Sequence, residues 1–296
     1  MPSRIGIVFI LIFWLATVGY VGYRDVWPRL VRDAAPTVWI DLSDEATQTV
    51  PVRWGLYRGE TRVGTMNSQM VFDTVSEQFR FVTKYREFQV DVQPIRCVVP
   101  EMELTTQLDR SGQLRGQTLH GMLIAKLLGQ ELARGTATIE CVMRDGELVG
   151  QCRLESDFFP PIEEPLEATP VPDGQVLNPL QPVNRLRGVR AGLRWVIYEN
   201  DPLGDAIANA TKQVLKKKGL GSSLFAPKPT ERQSMIATVS DEPETIRTAK
   251  GDHRCWSIEI RGERGTATIW VRESDGFVMR QIAVVGGDSL RLEREE

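Results

Sequence analysis

Residues 137–154 read ATIECVMRDGELVGQCRL, and this stretch decides the fold class. Ala137, Ile139, Cys141 and Met143 alternate with Thr138, Glu140 and Val142, and the pattern resumes at Leu148, Gly150, Cys152 and Leu154. A period of two places successive side chains on opposite faces of a strand. Asp145-Gly146 between the halves is a two-residue turn of the kind that needs positive φ at both positions. Centred there, the turn pairs Met143 towards Leu148 and Cys141 towards Gly150. Cys141 and Cys152 then share one apolar face in diagonal register. Either a disulfide in an oxidising compartment or two packed thiols fits that placement.

Working outward, the same signature recurs. VRWGLYRGETRVGTMNSQMVF (52–72) alternates around a turn at Arg58-Gly59-Glu60. Phe79, Phe81, Thr83 and Tyr85 form an aromatic face whose intervening residues are mostly charged. Met102, Leu104, Thr106 and Leu108 repeat the period, and Asp109-Arg110-Ser111-Gly112 turns the chain back. LHGMLIAKLLGQELA (119–133) suits a short buried helix or two strands meeting at Gly129-Gln130, and the closely flanking strands favour the hairpin. Residues 158–183 contain seven prolines. Proline cannot donate to a ladder, so this stretch is no central strand but an ordered insertion or a linker. Leu193–Tyr198 resumes as a strand. Asp201-Pro202 then opens a helix over about 202–218, with an N-cap, proline at its first position and Gly219 past its end. Leu203, Ile207, Thr211, Val214 and Leu215 form its apolar stripe. The remainder is a meander: MIATVS, HRCWSIEIRG, GTATIWVRE, FVMRQIAVV and SLRLERE.

The other end of the chain is different. Ile5–Tyr23 is nineteen residues without a charge, bracketed by Arg4 and Arg24. At 1.5 Å per residue that length just crosses a hydrocarbon core of roughly 30 Å. It exceeds a usual signal-peptide core, lacks a small-x-small cleavage site, and no cysteine precedes Cys97 to form a lipobox. The division expected is a transmembrane anchor at 1–24, a juxtamembrane stalk at 25–50 and a β-rich domain at 51–296. Arg24, Arg29 and Arg32 outnumber Arg4, which by the positive-inside count draws the domain to the cytoplasm. A short tail with one arginine and the envelope character of the domain argue for the opposite side. The localisation expected is single-pass in a bacterial inner membrane, domain in the periplasm.

Composition narrows the function. A net charge of −3 leaves no basic footprint for nucleic acid. With two histidines and four cysteines, zinc-type ligand spacing is absent and no metal or other cofactor is expected. His253 and Cys255 are i, i+2 neighbours at a strand start, which reads as ordinary strand chemistry rather than a nucleophilic pair. No catalytic residue is assigned. Phe79, Phe81, Leu104, Leu108 and Trp256 are the side chains expected to line an apolar cavity, if the sheet curves without closing.

Two stretches carry a resemblance. RWGLYRGETRVG (53–64) resembles the opening of bacterial envelope domains of unknown function. TIWVRESDGFVMRQ (268–281) resembles the closing hairpin of those domains and of periplasmic carriers of the lipoprotein-localisation type. The resemblance implies an incomplete antiparallel barrel curved around helices, holding acyl chains in its concave face. The fold expected is therefore mainly β (α+β): a transmembrane helix, then an antiparallel meander or incomplete barrel packed with one amphipathic helix. Three functions remain open. The first is a non-enzymatic envelope protein binding an apolar ligand or a lipidated partner. The second is an assembly component docking a partner protein. The third is an enzyme whose residues converge only in space.

Overall fold

The computed structural model describes residues 42, 46–47, 50–92, 95–127, 129–157, 159–171, 183–198, 234–248, 250–262, 265–285 and 288–295. The expected membrane segment, most of the stalk and the 202–218 helix lie outside these residues. Among the described residues no helix is long and apolar enough to cross a membrane.

Fifteen strands form one antiparallel sheet. They are β1 Val52–Arg58, β2 Thr61–Asp73, β3 Gln78–Val92, β4 Ile95–Leu108, β5 Leu114–Leu127, β6 Gln130–Arg144, β7 Glu147–Ser156 and β8 Phe159–Pro170. After them come β9 Arg194–Tyr198, β10 Ser234–Val239, β11 Glu244–Thr248, β12 Gly251–Arg261, β13 Gly265–Arg272, β14 Val278–Val285 and β15 Asp288–Arg294. The order is β8-β7-β6-β5-β4-β3-β2-β1-β15-β14-β13-β12-β10-β9, with β11 paired to β12 beside this path. First and last strands meet in the middle of the sheet, and its two edges, β8 and β9, come from mid-chain. The sheet is therefore open, a meander of hairpins as the turn chemistry implied.

The hairpin of β6 and β7 shows why. Asp145 and Gly146 both have positive φ, 52° and 81°, so the turn twists with the strands. Cys141 pairs Gly150 and Met143 pairs Leu148. A side chain on Gly150 would press on the Glu140 carbonyl and on Cys141, so glycine is what permits this close approach. The ambiguous stretch 119–133 is two strands, β5 and β6, turning at Gly129.

Two elements differ from the sequence expectation. The proline-rich segment is a strand in its first half. Phe159–Pro170 pairs with β7 alone, and an edge tolerates missing donors as an interior position does not. DEPETIRTAK (241–250) contains β11, whose only buried residues are Ile246 and Thr248. It survives because its whole length pairs with β12.

Alternate residues of β1 to β4 build the inner face. Trp54, Leu56, Met66, Met70, Phe79, Phe81 and Leu108 are buried there. In the C-terminal half Ile258, Ile260, Ile269 and Val271 continue it. Cys255, one step out of that phase, packs with Ile246 and Met279 in a separate small cluster. Between the halves, residues 183–187 lie against the β13–β14 turn. Arg185 bridges Phe277, the Leu186 amide donates to Gly276 O at 2.9 Å, and the Val278 amide to Asn184 O at 3.0 Å. The guanidinium carbons of Arg294, Arg185 and Arg272 stand 4.8, 5.3 and 5.4 Å from the Phe277 ring centre, a cation–π contact on each approach.

Candidate functional site

The candidate site is the inner face of β2 to β7. Phe79, Phe81 and Leu108 are buried there in one cluster with Cys141 and Cys152, and Leu104 packs against it half-buried. Trp256 is elsewhere. It lies opposite Val271 in the C-terminal half, half-buried and outside that cluster. Sequence spacing put all five on apolar faces; the path of the sheet decides which of them meet.

Leu42 and Ala46 also pack on the cluster. Both are helical and come from before the first strand. Part of the packing on this face is thus supplied by residues outside the strands. The space bordered by Val52, Ser68, Met70, Phe81 and Asn184 is about 10 Å³, room for one water at most.

Within this apolar surface run buried polar side chains, Thr83 and Thr106 in the apolar phase read from the sequence and Gln117 outside any phase read there. Ser68 pairs Thr83, and one row along Thr106 pairs Gln117. The Trp54 indole donates to Ser68 Oγ at 3.0 Å, and Gln117 Nε2 donates to Thr106 Oγ1 at 3.4 Å. Thr83 Oγ1 and Gln117 Oε1 are buried without a hydrogen-bond partner. Each such atom costs about 1–3 kcal/mol if nothing meets it, so they are the atoms a bound polar group would satisfy. A register shift at Gln107/Leu108 changes the phase of β5 relative to β4, which hides Gln117 from simple alternation.

Burial holds three of the four thiols in their unreactive form. Burial pushes Cys141 up to about 11, with Cys152 nearby adding to the effect, and burial raises Cys152 as well. Burial also raises Cys255 to about 11, although Arg272 and Arg280 oppose it. Nucleophilic catalysis needs thiolate, and these groups stay protonated at neutral pH. All four cysteines are free thiols. His253 Nε2 is buried without a partner. Among the described residues no three potential metal ligands gather.

The opposite face of β5 to β8 has an open groove of about 380 Å³, bordered by His120, Thr138, Glu140, Arg153, Glu155 and Glu163. His120, Thr138, Arg153 and Glu163 are successive register partners across four strands. His120 Nδ1 lies 3.0 Å from Thr138 Oγ1, and Arg153 pairs with Glu155 at 2.7 Å. Sequence reading passed over this groove. Its only signal was the polar phase of β6, Thr136, Thr138 and Glu140, which any solvated face would show.

No family model matches the chain, and no curated protein matches it. A solved structure described as a β-barrel-like protein of the domain of unknown function DUF1849, from Brucella abortus, is similar at 12% identity. The match covers 84% of this chain and 97% of that one, with a TM-score of 0.37. At that score the likeness carries no argument.

Proposed function

We propose that this chain is a membrane-tethered, non-enzymatic binding protein of the cell envelope, whose inner sheet face takes an apolar ligand or a lipidated partner. The observation that carries the reading is the pair of partnerless polar atoms, Thr83 Oγ1 and Gln117 Oε1, within the Phe79, Phe81 and Leu108 surface. They stand two strands apart, so roughly 10 Å separates them at the usual strand spacing. An acyl chain fits the apolar surroundings. Thr83 can donate to its carbonyl, whereas Gln117 Oε1 accepts only, so the ligand must also bring an N–H or O–H. One amide or carboxyl group is too short to meet both atoms, so the acyl ligand that fits carries a carbonyl and a separate N–H or O–H group. The anchor supports the reading by keeping such a ligand close to its membrane source.

The test is extraction of the purified full chain followed by mass spectrometry of the organic phase. An acyl-bearing molecule near one per chain is expected, and Phe81→Arg should abolish it while Glu163→Gln, in the outer groove, leaves it intact. A wild-type chain free of apolar molecules, whose melting temperature does not respond to added acyl amides or fatty acids, would overturn the proposal.

A further inference from the structure

Residues 183–187, held against the β13–β14 turn, bring one polar side chain to the inner face. Asn184 is 3% exposed, and its backbone carbonyl accepts from the Val278 amide at 3.0 Å. Arg294 Nη1 donates to the same carbonyl at 3.3 Å and to the side-chain Oδ1 at 2.6 Å. A guanidinium has donors only, so the amide oxygen of Asn184 must be the atom that meets it. The amide nitrogen is thereby turned away from Arg294. Nδ2 carries two N–H groups, and it is buried with no hydrogen-bond partner.

The contacts around Asn184 lead back to one small space. Arg294 pairs with Trp54 across β15 and β1, and its guanidinium carbon stands 5.9 Å from the Trp54 ring centre. The Trp54 indole donates to Ser68 Oγ. Ser68 and Asn184 both border the space of about 10 Å³, together with Val52, Met70 and Phe81. That is the room of a single oxygen-sized group. Because Ser68 Oγ already accepts from the indole, its own O–H is left to give. Thr83, whose Oγ1 also lacks a partner, lies opposite Ser68 on β3. The polar side chains here are therefore well supplied with hydrogens, beside apolar surface from Val52, Met70 and Phe81. A water would add two more hydrogens. A carbonyl oxygen adds none and accepts two bonds.

We infer that Asn184 is a specificity-determining residue, whose Nδ2 donates to the carbonyl oxygen of a bound acyl ligand seated beside Ser68. The inference rests on the acyl-binding reading above and adds to it the group that recognises the carbonyl. Arg294 fixes the amide before a ligand arrives, so little side-chain freedom is lost on binding. An alkyl chain without a carbonyl leaves the buried donor unpaired, and sites built on buried hydrogen bonds reject such analogues. Gln117 Oε1, which also lacks a partner, is left for the ligand's separate N–H or O–H group.

Monolauroylglycerol and dodecylglycerol supply the test. They share a chain length and their glycerol hydroxyls, and differ in an ester carbonyl against an ether methylene. Both are offered in equal amounts to the full chain in detergent, and the glycerides recovered with it are compared by mass spectrometry. Phe81→Arg provides the blank for glyceride carried by detergent alone. The wild-type chain should hold the ester over the ether by about tenfold. Asn184→Asp keeps an oxygen for Arg294 but replaces the donor by an acceptor, so the two glycerides should be held equally. Equal retention by the wild type overturns the inference, as does a preference that survives Asn184→Asp and is lost only in Thr83→Val. A wild-type chain that holds neither glyceride overturns the acyl-binding reading, and this inference falls with it. Urea midpoints check that Asn184→Asp folds. If it does not, magnetic resonance of the wild-type chain labelled at its asparagine nitrogens decides. One side-chain amide pair should move with the ester and stay in place with the ether, and amides that respond alike to both overturn the inference.

Discussion

Replacing Gly150 by alanine tests whether the β6–β7 hairpin is held as closely as its register implies. On an ordinary strand this substitution stabilises by about 0.4–1 kcal/mol, because it restricts the unfolded chain. Here the new methyl group would meet the Glu140 carbonyl oxygen and the Sγ and Cα of Cys141. Two of those three atoms are backbone in a paired strand and cannot rotate aside. Forced overpacking costs about 1–3 kcal/mol, and the upper end applies when backbone must move. The net expectation is destabilisation by about 2 kcal/mol, or roughly thirtyfold in the unfolding equilibrium. Gly121→Ala is the matched control. Its methyl group would lie 3.0 Å from Cγ and 3.2 Å from Cβ of Met102, a flexible side chain that can give way. Urea unfolding followed by tryptophan fluorescence should separate the two variants clearly. Equal midpoints would refute the reasoning, and with it the close approach at Cys141.

Two further outcomes follow from the ionisable groups. With Cys141 and Cys255 near 11, about one thiol in a thousand is ionised at pH 8, so iodoacetamide should modify Cys97 first and the buried three only on unfolding. Peptide mapping that finds Cys141 and Cys152 joined, or alkylated as fast as Cys97, would contradict this. The acid limb of stability should depend on turn aspartates. Burial alone would raise Asp109 and Asp275, but hydrogen bonds from Ser111, Gln113 and Arg115 to the first, and from Arg272 and Phe277 to the second, hold both below the usual carboxylate range. A carboxyl lowered in the folded state contributes stability above its unfolded value, about 3.9, and loses it as pH falls through the folded value. Stability should therefore drop below about pH 4, and Asp109→Asn with Asp275→Asn should flatten that drop in urea midpoints measured across the acid range.

Much of the sheet was legible because its hairpins are local. Asp145-Gly146 specified a turn, and the register followed to the residue at Cys141 and Gly150. The aromatic phase at Phe79 and Phe81 likewise named its buried face. Long-range features were not legible. Nothing near Leu56 announces that Leu292 is its partner, because that pairing depends on every hairpin between them. Gln117 looks like a solvent-facing polar residue until the register shift at Gln107/Leu108 turns it inward. The charged β11 carries too few apolar residues to show a period, and its pairing to β12 overrides its composition. The outer groove joins four strands through successive registers, so no single window of sequence contains it.

The pairing of β1 with β15 sets the order in which a ribosome can deliver a finished molecule. Strands β1 to β8 are complete once residue 170 has emerged, and each of their pairings is to an adjacent hairpin arm. The free side of β1 must then wait for the last strand made. Through that interval Trp54 and Leu56, which end fully buried, belong to a strand with an open ladder, the condition that invites pairing with a foreign chain. The closing contact joins Glu60 to Arg291 and shuts a loop of 231 positions. By loop-closure entropy this costs about 3 kcal/mol more than a ten-residue hairpin. A protein of this design therefore presents its least protected form just before synthesis ends, and its final strand serves as the latch.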